Sequence, residues 1–187
     1  SLLAGLPQSV PGMTINRFCS SGVQSIATAA VSIQQDEISL ALAGGVESMS
    51  RVPIGADGGA WAQDPETNSA TLFVPQGIGA DLIATLSGFS RHDVDAFAVE
   101  SQRRAAAARS AGYFDKSVVP VKGSLGQVIL AQDEFIKPNT TVETLAGLKP
   151  SFEQLGAMGF DAVALQRYPE VARIDHVHHA GNSSGIV

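Results

Sequence analysis

Residues 13–45 limit most sharply what this chain can become. Residues 13–18 read as a strand. From 20 to 34 the apolar residues Val23, Ile26, Ala27, Ala30 and Ile33 fall at helical spacing, and Asp36 ends the run. Residues 38–43 are nearly continuously apolar, as in a strand of a buried parallel sheet, and Gly44 and Gly45 follow. Strand, helix, strand at this length makes a right-handed βαβ unit, so the fold class is α/β. On the joint between the first strand and the helix stands Cys19, the only cysteine in 187 residues.

A thiolate is the reactive form of cysteine, and the unpaired N–H groups at a helix start favour negative charge. Ser20, Ser21 and Gly22 keep the first turn open, so a substrate carbonyl could approach and its oxygen could meet backbone N–H groups. The logic is that of a nucleophile elbow, although Gly-x-Ser-x-Gly is absent. Taken alone, Cys19 fits a buried structural cysteine slightly better, because such cysteines are common.

The remainder alternates between regular and broken stretches. Residues 1–12 form a loop, and 46–76 an excursion with little regular structure, punctuated by Pro53, Gly55, Gly58, Gly59, Pro65 and Pro75. A helix is predicted over 77–87, ending near Gly88. A second runs from a capping box at Ser90 and Asp93 to Ala111, with Val94, Phe97, Ala98 and Ser101 on one face and Gly112 closing it. Residues 118–122 and 128–130 form a hairpin around Gly123 and Gly126. A short helix over 141–147 is capped by Thr140 or Thr141. Residues 153–170 are mixed, broken by Gly156 and Gly159; 174–179 are extended, and 180–185 make a turn or helix entry.

Net charge is −6 with no Lys/Arg cluster, which argues against nucleic acid as partner. One cysteine excludes an internal disulfide and a multi-cysteine metal site. No leader pattern and no apolar run of about 20 residues is present, so the expectation is a cytoplasmic protein with no membrane partner. His176 and His178 share a side of an extended run, but no third ligand is signalled, so no metal site is assigned. Arginines 103–109 read as a solvated helix surface. Residue 1 is Ser and the chain stops at Val187, so a fragment is expected.

Five ordered motifs carry a family resemblance. Pro11-Gly-Met-Thr-Ile-Asn-Arg-Phe-Cys-Ser-Ser-Gly resembles the nucleophile segment of the thiolases, the acyl-CoA C-acyltransferases. Ala43-Gly-Gly-Val-Glu-Ser-Met-Ser-Arg resembles their second signature. Phe89-Ser-Arg-His-Asp-Val-Asp-Ala-Phe resembles their loop-domain helix, and Thr141-Val-Glu-Thr-Leu-Ala-Gly-Leu-Lys-Pro-Ser-Phe and Ala180-Gly-Asn-Ser-Ser-Gly follow in family order. The resemblance implies part of a thiolase-like fold: a βαβ nucleophile unit of the N-terminal domain plus a CoA-binding loop domain, without the C-terminal domain. The implied domains are 1–51 with the nucleophile, 52–179 as loop domain, and 180–187 returning into the N-terminal domain. The implied reaction is thiolytic cleavage of a 3-ketoacyl-CoA, or the reverse Claisen condensation, through an acyl group on Cys19. Lys137, Thr144, Leu148, Phe152, Ala180 and Ser184 would contact coenzyme A, which is substrate rather than a resident cofactor. The family also implies a homodimer or homotetramer, and a structural role for Glu47 at the subunit contact.

The departures from the family also bear on function. Gln76 stands where a methionine often touches the acyl end, Lys137 where an Arg is common, and residues 153–179 where many members have a short turn. No Gly-His-Pro and no second Cys occur in these residues. This polypeptide alone is therefore expected to show no turnover. The alternative is a non-catalytic CoA-binding or scaffold remnant; a simple cysteine hydrolase lacks an upstream His or acid to serve it.

Overall fold

The computed structural model describes residues 2–179, so Ala180 and Ser184 lie outside the described residues. The chain divides into two compact units, which part between Gly58 and Gly59.

In the first unit one element is long. Helix α1 spans Ser21–Gln34. It ends where Asp36 takes the left-handed conformation at φ 57° and the Glu37 N–H reaches back to the Ser32 carbonyl at 3.0 Å, a closure usually given to glycine. The predicted strands at 13–18 and 38–43 are not formed. Apart from an isolated bridge between Arg17 and Cys19, neither run belongs to a hydrogen-bonded ladder. A strand exists only through the N–H and C=O groups of a neighbouring strand. No such neighbour is present among the described residues, and Leu40 and Leu42 stand 80% and 83% exposed. The βαβ expectation is corrected to its helix.

The second unit is helical with one hairpin. Two helices fall where little regular structure was expected: α2, Ala60–Gln63, and α3, Pro65–Thr71. The Asp64 carboxylate accepts the Thr67 N–H at 2.7 Å, and Pro65 fills the first helical position, so a Pro read as punctuation starts a helix. Helix α4, Gln76–Ser87, ends on Gly88 at φ 70°, as predicted. Helix α5, Arg91–Ser110, has the predicted capping box: the Ser90 side chain accepts the Asp93 N–H and the Asp93 carboxylate accepts the Ser90 N–H. Its inward face differs from the expectation. Asp95 and Ala98 are buried, whereas Phe97 is outward. Strands β1, Val121–Lys122, and β2, Val128–Leu130, pair antiparallel as the predicted hairpin.

Helix α6, Val142–Ala146, has a capping box built on Thr141. Residues 153–167 are almost continuously helical: α7, Glu153–Leu155, a wider π-type turn at Gly156–Phe160, and α8, Asp161–Arg167. Gly159 bends this run at φ 115° instead of ending it. The core gathers Ile78 and Leu82 from α4, Ala164 from α8 and Ile174 from the strap that follows; Val74, Phe152, Leu155, Phe160, Leu165 and Val171 pack around them. Gly77 lets the Phe152 ring lie on α4, since a Cβ there would stand 2.3 Å from the ring. Among the described residues no single helix is long and apolar enough to cross a membrane.

Candidate active site

The chain turns sharply immediately before Cys19. Phe18 sits at φ 49°, a left-handed conformation that costs a bulky side chain energy and persists only where the surroundings hold it. Local hydrogen bonds do so. The Asn16 side chain accepts the Phe18 N–H at 2.9 Å and donates to Asp57 at 3.2 Å. Ser21 Oγ accepts the Arg17 N–H at 2.8 Å and donates to the Phe18 carbonyl at 2.7 Å. The Ser20 and Ser21 N–H groups close on the Arg17 and Phe18 carbonyls at 3.0 Å each, and Arg17 reaches Gln24 at 2.7 Å, one turn into α1. Cys19 is exposed on this bend, next to Ser20, which holds the N-terminal boundary position of α1 without a side-chain capping bond. Among the described residues Cys19 is therefore not part of a buried core. A soft nucleophile at an open helix start can attack a carbonyl and place the resulting oxyanion near peptide N–H groups.

Of the CoA candidates, Lys137, Thr144 and Leu148 lie in the second unit along α5. The Lys137 N–H donates to Gln102 at 2.7 Å, and its side chain is exposed. Arg91 donates to the carbonyls of Leu145 and Leu148 at 2.6 and 2.9 Å, which fixes the end of α6 against the start of α5. Thr144 is spent on the capping box with Thr141, and the Leu148 side chain is exposed. Residues 91 and 102 are about 16 Å apart along a helix axis, so Lys137 and the Thr144–Leu148 turn are spread out along α5, not clustered. Phe152 is half-buried on the core against Gly77.

A set of polar residues that sequence reasoning left unconnected meets at the strap 174–179. Asp81 of α4 is 0% exposed. Its Oδ1 accepts the Val177 and His178 N–H groups at 3.0 Å each and lies 2.7 Å from His178 Nδ1; its Oδ2 lies 2.9 Å from His176 Nδ1. His176 Nε2 lies 2.9 Å from Asp161 Oδ2. His179, also buried, places Nε2 2.7 Å from Asp95, which pairs with Arg91 at 3.0 Å. Burial opposes charge on His176, but the hydrogen bonds to Asp81 and then Asp161 outweigh it and raise its pKa. His176 and His178 share one side of the run, as their spacing predicts, and the partner they share is a carboxylate. No group of three or more His, Cys, Asp or Glu among the described residues could hold a metal ion. On the outer surface of α5, Glu100 pairs with Arg103 and Arg104 at 2.6 and 2.7 Å; those bonds, Arg103 first, lower its pKa to about 2.

Residues 1–160 match the family model described as the N-terminal domain of thiolase. The chain belongs to the thiolase family. It is 44% identical over 167 residues to the beta-ketoadipyl-CoA thiolase of Pseudomonas aeruginosa, covering 80% of this chain and 42% of that one. It is 39% identical over 163 residues to the human peroxisomal 3-ketoacyl-CoA thiolase, covering 83% and 38%. Among solved structures, the dimeric peroxisomal thiolase of Saccharomyces cerevisiae superposes with a TM-score of 0.67 at 33% identity, over 81% of this chain and 40% of that one. Human mitochondrial 3-ketoacyl-CoA thiolase in complex with CoA gives 0.64 at 33% identity, over 81% and 41%. This thiolase chain thus spans about two fifths of the length of the relatives it matches. The relatives include peroxisomal and bacterial proteins, so the cytoplasmic expectation draws no support from them.

The quoted thiolase motifs include Cys19 and Asp95 but not Asp81 or Asp161. One signal was available in the sequence. Alternating histidines on an extended run need a buried acceptor opposite, and an acid inside an otherwise apolar helix, as at Asp81, supplies one.

Proposed function

We propose that this chain is the nucleophile-bearing and CoA-binding portion of an acyl-CoA C-acyltransferase. The Cys19 sulfur attacks the keto carbon of a 3-ketoacyl-CoA. The bond between that carbon and its neighbour breaks, the departing acetyl-CoA carbanion takes a proton, and the acyl group stays on sulfur as a thioester. A second CoA thiol then takes the acyl group and frees Cys19; run backwards, the sequence is a Claisen condensation. The observation that carries this reading is the exposed thiol of Cys19 on a bend held by Phe18 at φ 49°, directly before α1.

In this reading residues 1–51 belong to the nucleophile domain, 52–179 form the loop domain over CoA, and 180–187 return towards the nucleophile. The spread of Lys137, Thr144 and Leu148 along α5 suits an extended ligand such as CoA, with Phe152, Ala180 and Ser184 towards its pantetheine end. Lys137 offers a point charge to a phosphate where an Arg would offer a planar fork. A homodimer or homotetramer is the proposed assembly.

The test is acyl transfer to sulfur. After incubation with a 3-ketoacyl-CoA or acetyl-CoA, peptide mass spectrometry is expected to find a hydroxylamine-labile acyl group on Cys19, and none in Cys19→Ala. These 187 residues by themselves are expected to give no sustained turnover, since they hold no second cysteine and no Gly-His-Pro. That same observation favours a second reading, a CoA-binding remnant without catalysis. CoA binding by calorimetry together with an unacylated Cys19 would establish that reading in place of the first.

A further inference from the structure

His176 has two ring nitrogens and each faces a carboxylate oxygen, Asp81 Oδ2 and Asp161 Oδ2, at 2.9 Å. An ionised carboxylate only accepts hydrogen bonds, and a neutral imidazole has one N–H to give. Both contacts are hydrogen bonds only if the ring carries a proton on each nitrogen. We infer that His176 is a proton-operated tie: as an imidazolium it joins α4 to α8 through the strap, and on losing a proton it releases α8.

The two contacts are not equally easy to give up. Asp81 is wholly buried, and its other oxygen is held by two backbone N–H groups and the His178 ring. Turning it away would strand a buried charge, which is costly. Asp161 sits on the first turn of α8, just after the bend at Gly159; its side chain is 27% exposed and can turn to water. Its Oδ1 is buried and has no hydrogen-bond partner among the described residues, so turning outward gives that oxygen the water it lacks. The neutral ring therefore keeps its proton on Nδ1 towards Asp81, and the Nε2 lone pair faces Asp161.

The other polar groups around His176 leave this balance in place. From α4, Thr85 Oγ1 accepts the Asp175 N–H at 2.9 Å. On the strap, Arg173 pairs with Asp175 at 3.0 Å, both well exposed, and His178 is committed to Asp81. From α5, Asp95 is engaged by Arg91 and His179. The folded pKa of His176 lies above its ordinary 6.5, so the tie's contribution is fully present below 6.5 and is lost as pH rises through the folded value. The tie does not depend on acyl transfer.

The decisive variant is Asp161→Asn. An amide N–H can donate to a neutral Nε2 while Nδ1–H still serves Asp81, so the variant should hold α8 with or without the extra proton. Hydrogen exchange of residues 156–167, corrected for intrinsic rates, is expected to speed up by at most about tenfold per pH unit as pH rises from 6.5 to the folded value in the wild type. In Asp161→Asn it should stay flat. An equal response in both proteins would overturn the inference. Long-range nitrogen spectra of histidine-labelled wild type, which need no variant, should show the His176 ring more protonated at pH 6.5 than free histidine; a mostly neutral ring there would overturn it as well.

Discussion

The two units are equally apolar on the page and quite different in space. In the second unit, apolar spacing produces a closed core: Ile78, Leu82, Ala164 and Ile174 are buried and ringed by larger side chains. In the first, no described residue before Gly59 is buried, and α1 presents Val23, Ile26 and Val31 to the outside. The difference lies in where the partners of each apolar residue sit. The second unit folds its helices back on one another within one stretch of chain. The first carries a helix and two extended runs that need a sheet around them, and exposed apolar surface of this kind marks a contact face.

The largest expected effect is in hydrogen exchange on the whole chain. Amides in the middle of α4 should exchange about a hundredfold or more slowly than those in the middle of α1, because local opening is cheap where nothing is packed. Equal protection would break the contrast. Truncation comes next. Ile78→Ala should cost about 2–5 kcal/mol in denaturant unfolding, whereas Ile26→Ala should stay within about 0.5 kcal/mol. A large loss at Ile26 would mean that α1 has a buried face after all. Glycines give the smallest and sharpest comparison. Gly77→Ala drives a methyl into the Phe152 ring and should cost about 1–3 kcal/mol. Gly22, in α1, has nothing within 4 Å of a built Cβ, and Gly22→Ala should stabilise by about 0.4–1 kcal/mol. Melting curves of the two variants should therefore move in opposite directions.

What the sequence reveals follows the range of the interaction. Capping is decided within a few residues, so the Ser90 box, the Gly88 stop and the Asp36 ending of α1 are legible, and Thr141 is one of the two caps the sequence offers for α6. The hairpin needed only its own turn. The strands at 13–18 and 38–43 were misread because a ladder depends on distant chain. Helices α2 and α3 escape a reading in which Pro65 and the glycines around them act as breakers, because Pro at the first helical position is a starter. At the candidate site, the place of Cys19 just before a helix is legible, whereas its role is carried only by the family resemblance. The strain at Phe18 is not legible, since nothing in a Phe announces a left-handed backbone. The Asp81 network joins residues more than ninety positions apart, so the sequence offers the alternating histidines and the lone acid of α4 but not their pairing.

The strap is fastened in two ways, and they differ as wiring does. At Asp81 the attachments run in parallel: two backbone N–H groups and two rings meet one carboxylate, so losing any one leaves the others. At its other end the contacts described above run in series, from the α6 carbonyls through Arg91 to Asp95 and on to His179. A series path is only as strong as its weakest link. A change at Arg91, which never touches the strap, is passed to His179, whereas a comparable change at His178 is absorbed where it occurs.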